Sequence, residues 1–428
     1  MKAFSAIFFF LFFSIEANAQ RICGSVEYAK QLVKDNPSLQ NAISQAEQQI
    51  INELAKSSHY AARDTTANEI INVPVVVHLL YNTTVQNISQ QQVLSQMDAL
   101  NKDFARLNDD KVNTPDVFKV FAADARIKFC LAQVDPQGKQ TDGIIRKYTS
   151  TQSFTADDAM KNHLSGGDDA WDCKKYLNIW VCSLGGRSLG YATPPGGPAD
   201  KDGVVIAYDV FGTVGNVRSP FDKGRTATHE IGHWLGLIHV WGDADCGDDG
   251  VDDTPKQQSY NFGCPSFPHV TSCSPNGNGD MFMNYMDFSD DGCMNIFTIG
   301  QKKRMRALFA TGNMRNTFLT AFACDSTLVQ AGPVVSPPPV PSPVSAAAVD
   351  IFKVYPNPSQ SIVTIEYKPA ADMVAKPIHI YSTLGVNVFI GELDKEKNIV
   401  NLSSLSPGVY FIRIGDGKSS YSTKLFKQ

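Results

Sequence analysis

From Thr228 to Asp243 the chain reads "THEIGHWLGLIHVWGD", which holds three of its eight histidines, His229, His233 and His239, with Glu230 directly after the first. A spacing of four puts His229 and His233 on one face of a helix, one turn apart, where both imidazoles reach a single metal ion. His239 would leave that face if the helix continued. Gly236 is free to adopt a positive φ, so the chain is predicted to turn there and bring the third imidazole back toward the metal. Three neutral imidazoles leave a fourth coordination position open, which marks a catalytic zinc site rather than a structural one. Glu230 stands beside the metal, placed to take a proton from a water that zinc polarises and pass it to a leaving amine. A histidine on an apolar helix is ordinarily a packed core residue. The string His229-Glu230-x-x-His233-x-x-Gly236-x-x-His239 fixes five positions and is too specific for that account, although Trp234, Leu235, Leu237 and Ile238 fit it well.

Around this helix the pattern is one of short apolar runs. "VPVVVHLL" from Val73 reads as a buried strand, and the Gln-rich stretch after it repeats Val93, Met97, Leu100 and Phe104 at helical spacing, with Ser89 as cap. Further strands are expected at Ile127–Val134, Tyr176–Leu184 and Gly203–Tyr208, with Gly-rich loops between them. The fold class is therefore α/β (α+β), with a mixed twisted sheet and the histidine helix packed on it.

With 428 residues, 43% hydrophobic and 19% charged, the chain is long enough for two or more folding units. A net charge of −5 offers no basic stripe for nucleic acid, and no apolar run long enough to cross a membrane follows the N-terminus. Residues 1–19 carry Lys2, an apolar block and Ala17-Asn18-Ala19, the pattern of a signal peptide cut after Ala19. Export implies an oxidising compartment in which the nine cysteines can pair, leaving at least one over. Residues 20–63 are polar and helix-prone and read as a removable propeptide ending near Arg63. A catalytic domain is assigned to 64–325, a Pro-rich linker to 326–349 and a small all-β sandwich, alternating apolar and polar residues between Gly, Pro and Asn, to 350–428.

The histidine string is the metzincin signature, and "MNYMDFSDDGCMNIFT" supplies the downstream Met-turn at Met286. Together with "DDTP" and "GQKKRM", the text between Gly224 and Met305 resembles the pappalysin family of that clan, especially its ulilysin-like bacterial members. The resemblance spans about Val73 to Cys324 and implies a two-lobed zinc endopeptidase acting on protein or peptide substrates. Many such relatives carry tyrosine two residues after the Met-turn methionine, where its hydroxyl steadies the developing oxyanion; this chain has Phe288, which cannot donate that hydrogen bond. Relatives commonly prefer a basic residue just after the scissile bond. Asp287, Asp290 and Asp291 follow the Met-turn and are the candidate carboxylates for it.

Between helix and Met-turn, "GDADCGDDGVDDTP" packs six aspartates, Asp243 to Asp253, into eleven residues. Such a loop is either a solvated acidic surface or the cradle of a hard cation, and the resemblance also points to calcium. Asp249, Asp253 and Thr254 are the candidate ligands. By resemblance Cys246 pairs with Cys273 and Cys264 with Cys293; a four-cysteine zinc site is the competing reading, and it lacks any CxxC pair. The pairing of Cys130, Cys173, Cys182 and Cys324 stays open. If those eight pair among themselves, Cys23 in "QRICGS" is left free to bind the zinc through its thiolate and keep the enzyme latent. Arg21 beside it either lowers the thiol pKa or clamps the segment on a cleft carboxylate, with Glu230 a candidate, and Gly24 lets the backbone pass close to the metal.

The tail resembles the sorting domain of the type IX secretion system, through "VYPNPSQSIVTIEY", "IYSTLGVNV" and "LSSLSPGVYFIRI". That implies delivery to the medium or cell surface by way of the periplasm, with the secretion machinery as partner. The competing reading for the whole chain is a secreted binding or adhesion protein with a non-catalytic metal site.

Overall fold

The structure is a computed structural model that describes residues 21–59, 69–186, 188–274, 277–320, 351–368, 376–382, 387–393, 397–403, 405–414 and 421–428. The expected signal peptide, the cut expected near Arg63, Cys324 and the Pro-rich stretch 331–349 lie outside the described residues. The chain forms two compact units that divide at Val329/Gln330.

In chain order the first unit has α1 (Ser25–Asp35), α2 (Leu39–His59), β1 (Ile71–Tyr81), α3 (Gln90–Phe104), α4 (Asp116–Lys119), β2 (Ile127–Leu131), β3 (Ile144–Tyr148), β4 (Leu177–Cys182), β5 (Gly190–Ala192), β6 (Val204–Ala207), α5 (Arg225–Trp234) and α6 (Ile299–Ala307). The four strands expected from apolar runs are present as β1, β2, β4 and β6. The sheet order is β2-β1-β4-β6-β5, and β3 pairs with the second half of β1. All pairings are parallel except β5 on β6, so the sheet is mixed. β3 and β5 escaped the sequence reading: β3 is half-exposed and holds Arg146 and Lys147, and β5 has only three residues.

β1 is apolar almost throughout because both of its faces are covered, as parallel sheets require. Val73, Val75, Val77 and Leu79 meet Val93, Leu100 and Phe104 of α3 and Ala227, Ile231 and Trp234 of α5 in one core cluster. Ser89 caps α3 by accepting from the Gln92 amide at 3.1 Å. α5 is thereby pressed against the sheet across β6 and the edge strand β5, whose outer edge is left open to pair with another segment.

The second unit contains β7 (Ile351–Tyr355), β8 (Ile362–Lys368), β9 (Lys376–Ser382), β10 (Asn387–Leu393), β11 (Lys397–Asn401), β12 (Gly408–Ile414) and β13 (Tyr421–Lys427). They make two antiparallel sheets, β10-β9-β12-β13 and β11-β8-β7, around Val363, Ile365, Ile378, Ile380, Ile412 and Leu425. Alternation along β12, with Tyr410, Ile412 and Ile414 buried, is the period-2 pattern of a half-buried strand.

Candidate active site

α5 begins at Gly224, whose φ of 75° turns the chain into the helix, and its first turn is fixed from below. Thr228 Oγ1 donates to Asp103 Oδ2 at 2.7 Å, and Arg225 reaches the Asp103 and Asp110 carboxylates and the Tyr285 hydroxyl. The helix stops at Trp234, and Gly236 takes a φ of 82°, so that the Leu237 amide bonds back to the Gly232 carbonyl at 2.9 Å. That reversal carries His239 back beneath the helix.

The three imidazoles then converge. His233 Nε2 lies 3.1 Å from His229 Nε2 and 3.1 Å from His239 Nε2. Nitrogens bound at about 2.0–2.1 Å around one tetrahedral zinc sit about 3.3 Å apart, so the observed spacing fits that ion closely. Each ring is oriented through its other nitrogen: His229 Nδ1 against the Tyr285 carbonyl at 2.7 Å, His233 Nδ1 against the Leu237 carbonyl at 2.9 Å and His239 Nδ1 against Asp243 Oδ1 at 2.5 Å. Burial, reinforced by the neighbouring rings, lowers His229 far below the usual imidazole range and His233 to about 3, which keeps both neutral and able to ligate. Asp243 is a correction to the sequence reading, which counted it with the acidic loop. The His239-x-x-x-Asp243 spacing was the signal that could have found it.

Met286 lies fully buried under the helix. A Cβ placed on Gly232 would stand 2.4 Å from its sulfur, so the Met-turn explains why the fourth position of "HEIGH" is glycine. Phe288 packs at the edge of the cluster, edge-on to His239 with centroids 4.9 Å apart and stacked on Tyr260 at 5.3 Å.

The segment 21–25 fills the cleft. It pairs with the open edge of the sheet, the Gly24 amide donating to the Gly190 carbonyl at 2.9 Å and the Leu189 amide to the Ile22 carbonyl at 3.0 Å. Gly24 lies against Tyr191, where a Cβ would come within 3.3 Å of that side chain. Cys23 Sγ and one ring nitrogen from each of His229, His233 and His239 all lie within 4.8 Å of one another. The thiol is 3.5 Å from Glu230 Oε2, and Ser25 Oγ donates to the same oxygen at 2.8 Å. Ser25 was missed by the sequence reading, having no chemistry of its own to single it out. Burial raises Glu230 to about 7 against these two hydrogen bonds.

Of the two readings of Arg21, the clamp on a cleft carboxylate is the one present, with its partner corrected. Arg21 pairs with Asp291, not Glu230; both side chains are buried, and the guanidinium also donates to the Ser289 carbonyl at 3.2 Å and Thr226 Oγ1 at 3.3 Å. Burial, and next the Glu230 carboxylate, raise the Cys23 thiol, so Arg21 does not lower it; a bound cation would pull the other way. The cysteine arithmetic is also corrected. Cys130 is disulfide-bonded, but Cys173 and Cys182 are free alongside Cys23. Cys182 ends β4 with its side chain in the core, where no second cysteine among the described residues meets it.

Of the three candidate pocket carboxylates only Asp291 meets a basic group. Asp287 is buried and accepts from the Asn261 amide, Asn261 Nδ2, Gln257 Nε2 and the Phe288 amide at 2.7–2.9 Å, which commits it to holding the 257–261 loop. Asp290 is half-buried beside the Arg21–Asp291 pair. In the acidic loop, Thr254 Oγ1 donates to Asp249 Oδ1 at 2.7 Å and Asp253 Oδ2 accepts from the Gly300 amide at 2.8 Å. The second oxygens, Asp249 Oδ2 and Asp253 Oδ1, are buried without a partner. Disulfides join Cys246 to Cys273 and Cys264 to Cys293 across this region.

Residues 161–310 match the family model described as pregnancy-associated plasma protein-A, and 353–428 match that of a secretion system C-terminal sorting domain. An extracellular metalloprotease of Podospora anserina is 30% identical over 299 residues, covering 68% of this chain and 89% of its own length. Among solved structures, a Tannerella forsythia promirolysin mutant is 45% identical with a TM-score of 0.64, covering 70% of this chain and 97% of its own. Mature mirolysin of the same organism, in complex with a cleaved peptide, is 50% identical with a TM-score of 0.58 and covers 59% of this chain and 96% of its own.

Proposed function

We propose, starting from the fact that the chain belongs to the pappalysin family of extracellular metalloendopeptidases, that it is a zinc endopeptidase held latent by its own N-terminal segment. Family membership decides against the adhesion reading, and the sorting domain makes the protein secreted or cell-surface by the type IX route. Among the described residues no helix is long and apolar enough to cross a membrane.

The observation that carries the proposal is the convergence of Cys23 Sγ with the three histidine nitrogens, 3.5 Å from Glu230. His229, His233 and His239 would hold zinc, which when bound polarises the scissile carbonyl and acidifies water. In the latent form Cys23 would join the three histidines in holding the ion, and Ser25 occupies the carboxylate that must act as base. Once the segment leaves, Glu230 is free to take a proton from the attacking water and return it to the departing amine. The segment is 20–63, and the wider coverage of the pro-form relative than of the mature one, 70% against 59%, supports that assignment. Arg21 seated on Asp291 supports a preference for arginine or lysine after the scissile bond, because the same buried carboxylate is vacated on activation. The two unpartnered carboxylate oxygens support calcium at Asp249, Asp253 and Thr254.

Digestion of a denatured protein tests the reading. The full-length wild type, once cut near Arg63, degrades it and stops on addition of a zinc chelator, and Cys23→Ala protein activates itself sooner than wild type. Substrate left intact by the cut wild type would sink the reading. A latent Cys23→Ala proenzyme, as slow as wild type, would sink the thiol's part in it.

A further inference from the structure

α1 of the N-terminal segment inserts one side chain deep into the rest of the unit. Tyr28 is 3% exposed, and its hydroxyl donates to Asp158 Oδ2 at 2.8 Å. Lys161 Nζ donates to the same hydroxyl at 3.2 Å and lies 4.8 Å from the Tyr28 ring centroid and 4.9 Å from that of Tyr191, whose ring is tilted against Tyr28 with centroids 4.6 Å apart. Trp180 and Thr193 close the pocket, Lys161 standing 5.3 Å from the indole centroid and 3.0 Å from Thr193 Oγ1.

Every wall of this pocket belongs to the body that remains after the segment is cut away, and so do the bonds that hold its charges. Lys161 pairs with Asp158 at 3.0 Å and donates to the Lys201 carbonyl at 3.0 Å, and Lys201 Nζ also reaches Asp158 at 3.0 Å. Burying an ammonium and a carboxylate is costly unless both are paired and hydrogen-bonded, and a helix needing only an anchor is served by an apolar contact, as Leu32 is. Asp158 further sits at a φ of 62°, in the left-handed region a non-glycine residue occupies at some cost. The pocket is thus a polar receptor for a phenol that the catalytic body builds for itself.

Its position along the cleft is set by the segment that now lies there. Arg21 is at Asp291, Cys23 at the three histidines, and Tyr28 beyond them; Tyr191, the pocket wall, directly follows Gly190, whose carbonyl takes the Gly24 amide. A substrate pairing with the same sheet edge, its basic residue after the scissile bond on Asp291, must run its upstream residues past Tyr191. We propose that the Tyr28 pocket becomes, on loss of the segment, a subsite for a tyrosine side chain upstream of the scissile bond. This rests on the endopeptidase reading above and names a second determinant of its specificity. The hydroxyl is recognised by Asp158 and Lys161, the ring by Tyr191 and the Lys161 ammonium.

The test uses Ala-rich peptides with one arginine and a single tyrosine walked through the upstream positions, cleaved by the matured wild type. At one position tyrosine raises kcat/KM roughly tenfold over alanine and several-fold over phenylalanine. Asp158→Asn and Lys161→Met collapse the tyrosine-to-alanine ratio. Because either variant can fail to fold, the wild-type series decides alone: ratios within about twofold of one at every position overturn the subsite while leaving the endopeptidase intact. Binding of the same labelled peptides to matured Glu230→Ala protein, read by fluorescence anisotropy, separates the two ideas. Tyrosine-dependent binding without cleavage by wild type would retain the subsite and remove the protease reading; tyrosine-independent binding removes the subsite.

Discussion

In the cleft, three ring nitrogens are each tied down by a backbone carbonyl or Asp243, and their partners across the rings meet at a single point. In the acidic loop, six aspartates crowd eleven residues and only two, Asp249 and Asp253, leave a buried oxygen unspent, while Asp248 reaches Lys256 at 3.7 Å near solvent. The first region has spent its structure on aiming donors before any ion arrives. The second has charge in excess and aims little of it. Density of ligand-type residues is therefore a poor guide to a built site, and the state of the atoms not facing the ion is a better one.

The widest gap between the two regions should appear in catalysis. Glu230→Ala lowers kcat of the matured enzyme by about 10²–10⁴, the range for loss of a general base, and the hydrogen bonds it gives up are those to Cys23 and Ser25 of the removed segment. Steady-state hydrolysis of an arginine-containing peptide measures it. A fall below tenfold would move the proton transfer to another group. Asp249→Asn, by contrast, shows itself in thermal stability rather than turnover, and an equal collapse of kcat in both variants would erase the distinction drawn here.

Asp243 sits where the regions touch, and its effect should be intermediate. Asp243→Asn leaves His239 with a weaker acceptor at Nδ1, which costs roughly 10–100-fold in metal affinity. Competition against a chromogenic chelator reads this directly. Unchanged affinity would return Asp243 to the acidic loop, where the sequence had suggested it belonged.

That misassignment shows what a sequence displays and what it hides. The period of an α-helix is exact enough that His229, Glu230 and His233 could be placed on one face, and a glycine at Gly236 could be read as the turn that returns His239. α3 was legible for the same reason, since its apolar residues follow the helical period, and β1, β4 and β6 were legible as short unbroken apolar runs. What was hidden depends on where irregular backbone goes. β5 is three residues long and acts through its open edge, and Ser25 is distinguished only by facing Glu230. Asp287 and Asp291 stand four apart with the same chemistry, yet one is consumed by a loop and the other meets Arg21. Cys23 was reached through a count that assumed eight paired cysteines; the count failed at Cys173 and Cys182, and the placement rests on the geometry of the cleft.

The loop's own prediction is smaller. If calcium joins Asp249 Oδ2 and Asp253 Oδ1, a calcium-selective chelator lowers Tm by roughly 3–6 °C, as loss of one to two kcal/mol does in a unit of this size. Calcium restores it and zinc does not. Asp253→Asn protein starts at the lower Tm and no longer responds. A wild type indifferent to calcium would leave the loop a solvated acidic surface and make the contrast with the cleft sharper still.

The smallest effect is expected at Phe288. Its ring lies edge-on to His239 and 5.8 Å from His229, and is held on its other sides by Trp241 at 4.8 Å and Tyr260 at 5.3 Å. A hydroxyl added there borders the cleft, and a donor that meets the charge developing on the scissile carbonyl is worth about 10²–10³ where a site is built around it. Here the surrounding rings are packed for a phenyl edge, so Phe288→Tyr should raise kcat only several-fold. KM should stay put, because a bond formed only as charge develops does not strengthen the ground state. A rise in kcat with constant KM identifies a transition-state donor that this chain does without. A change in KM alone would mean that the ring touches substrate instead, and no change in either would leave Phe288 as packing for the His239 imidazole.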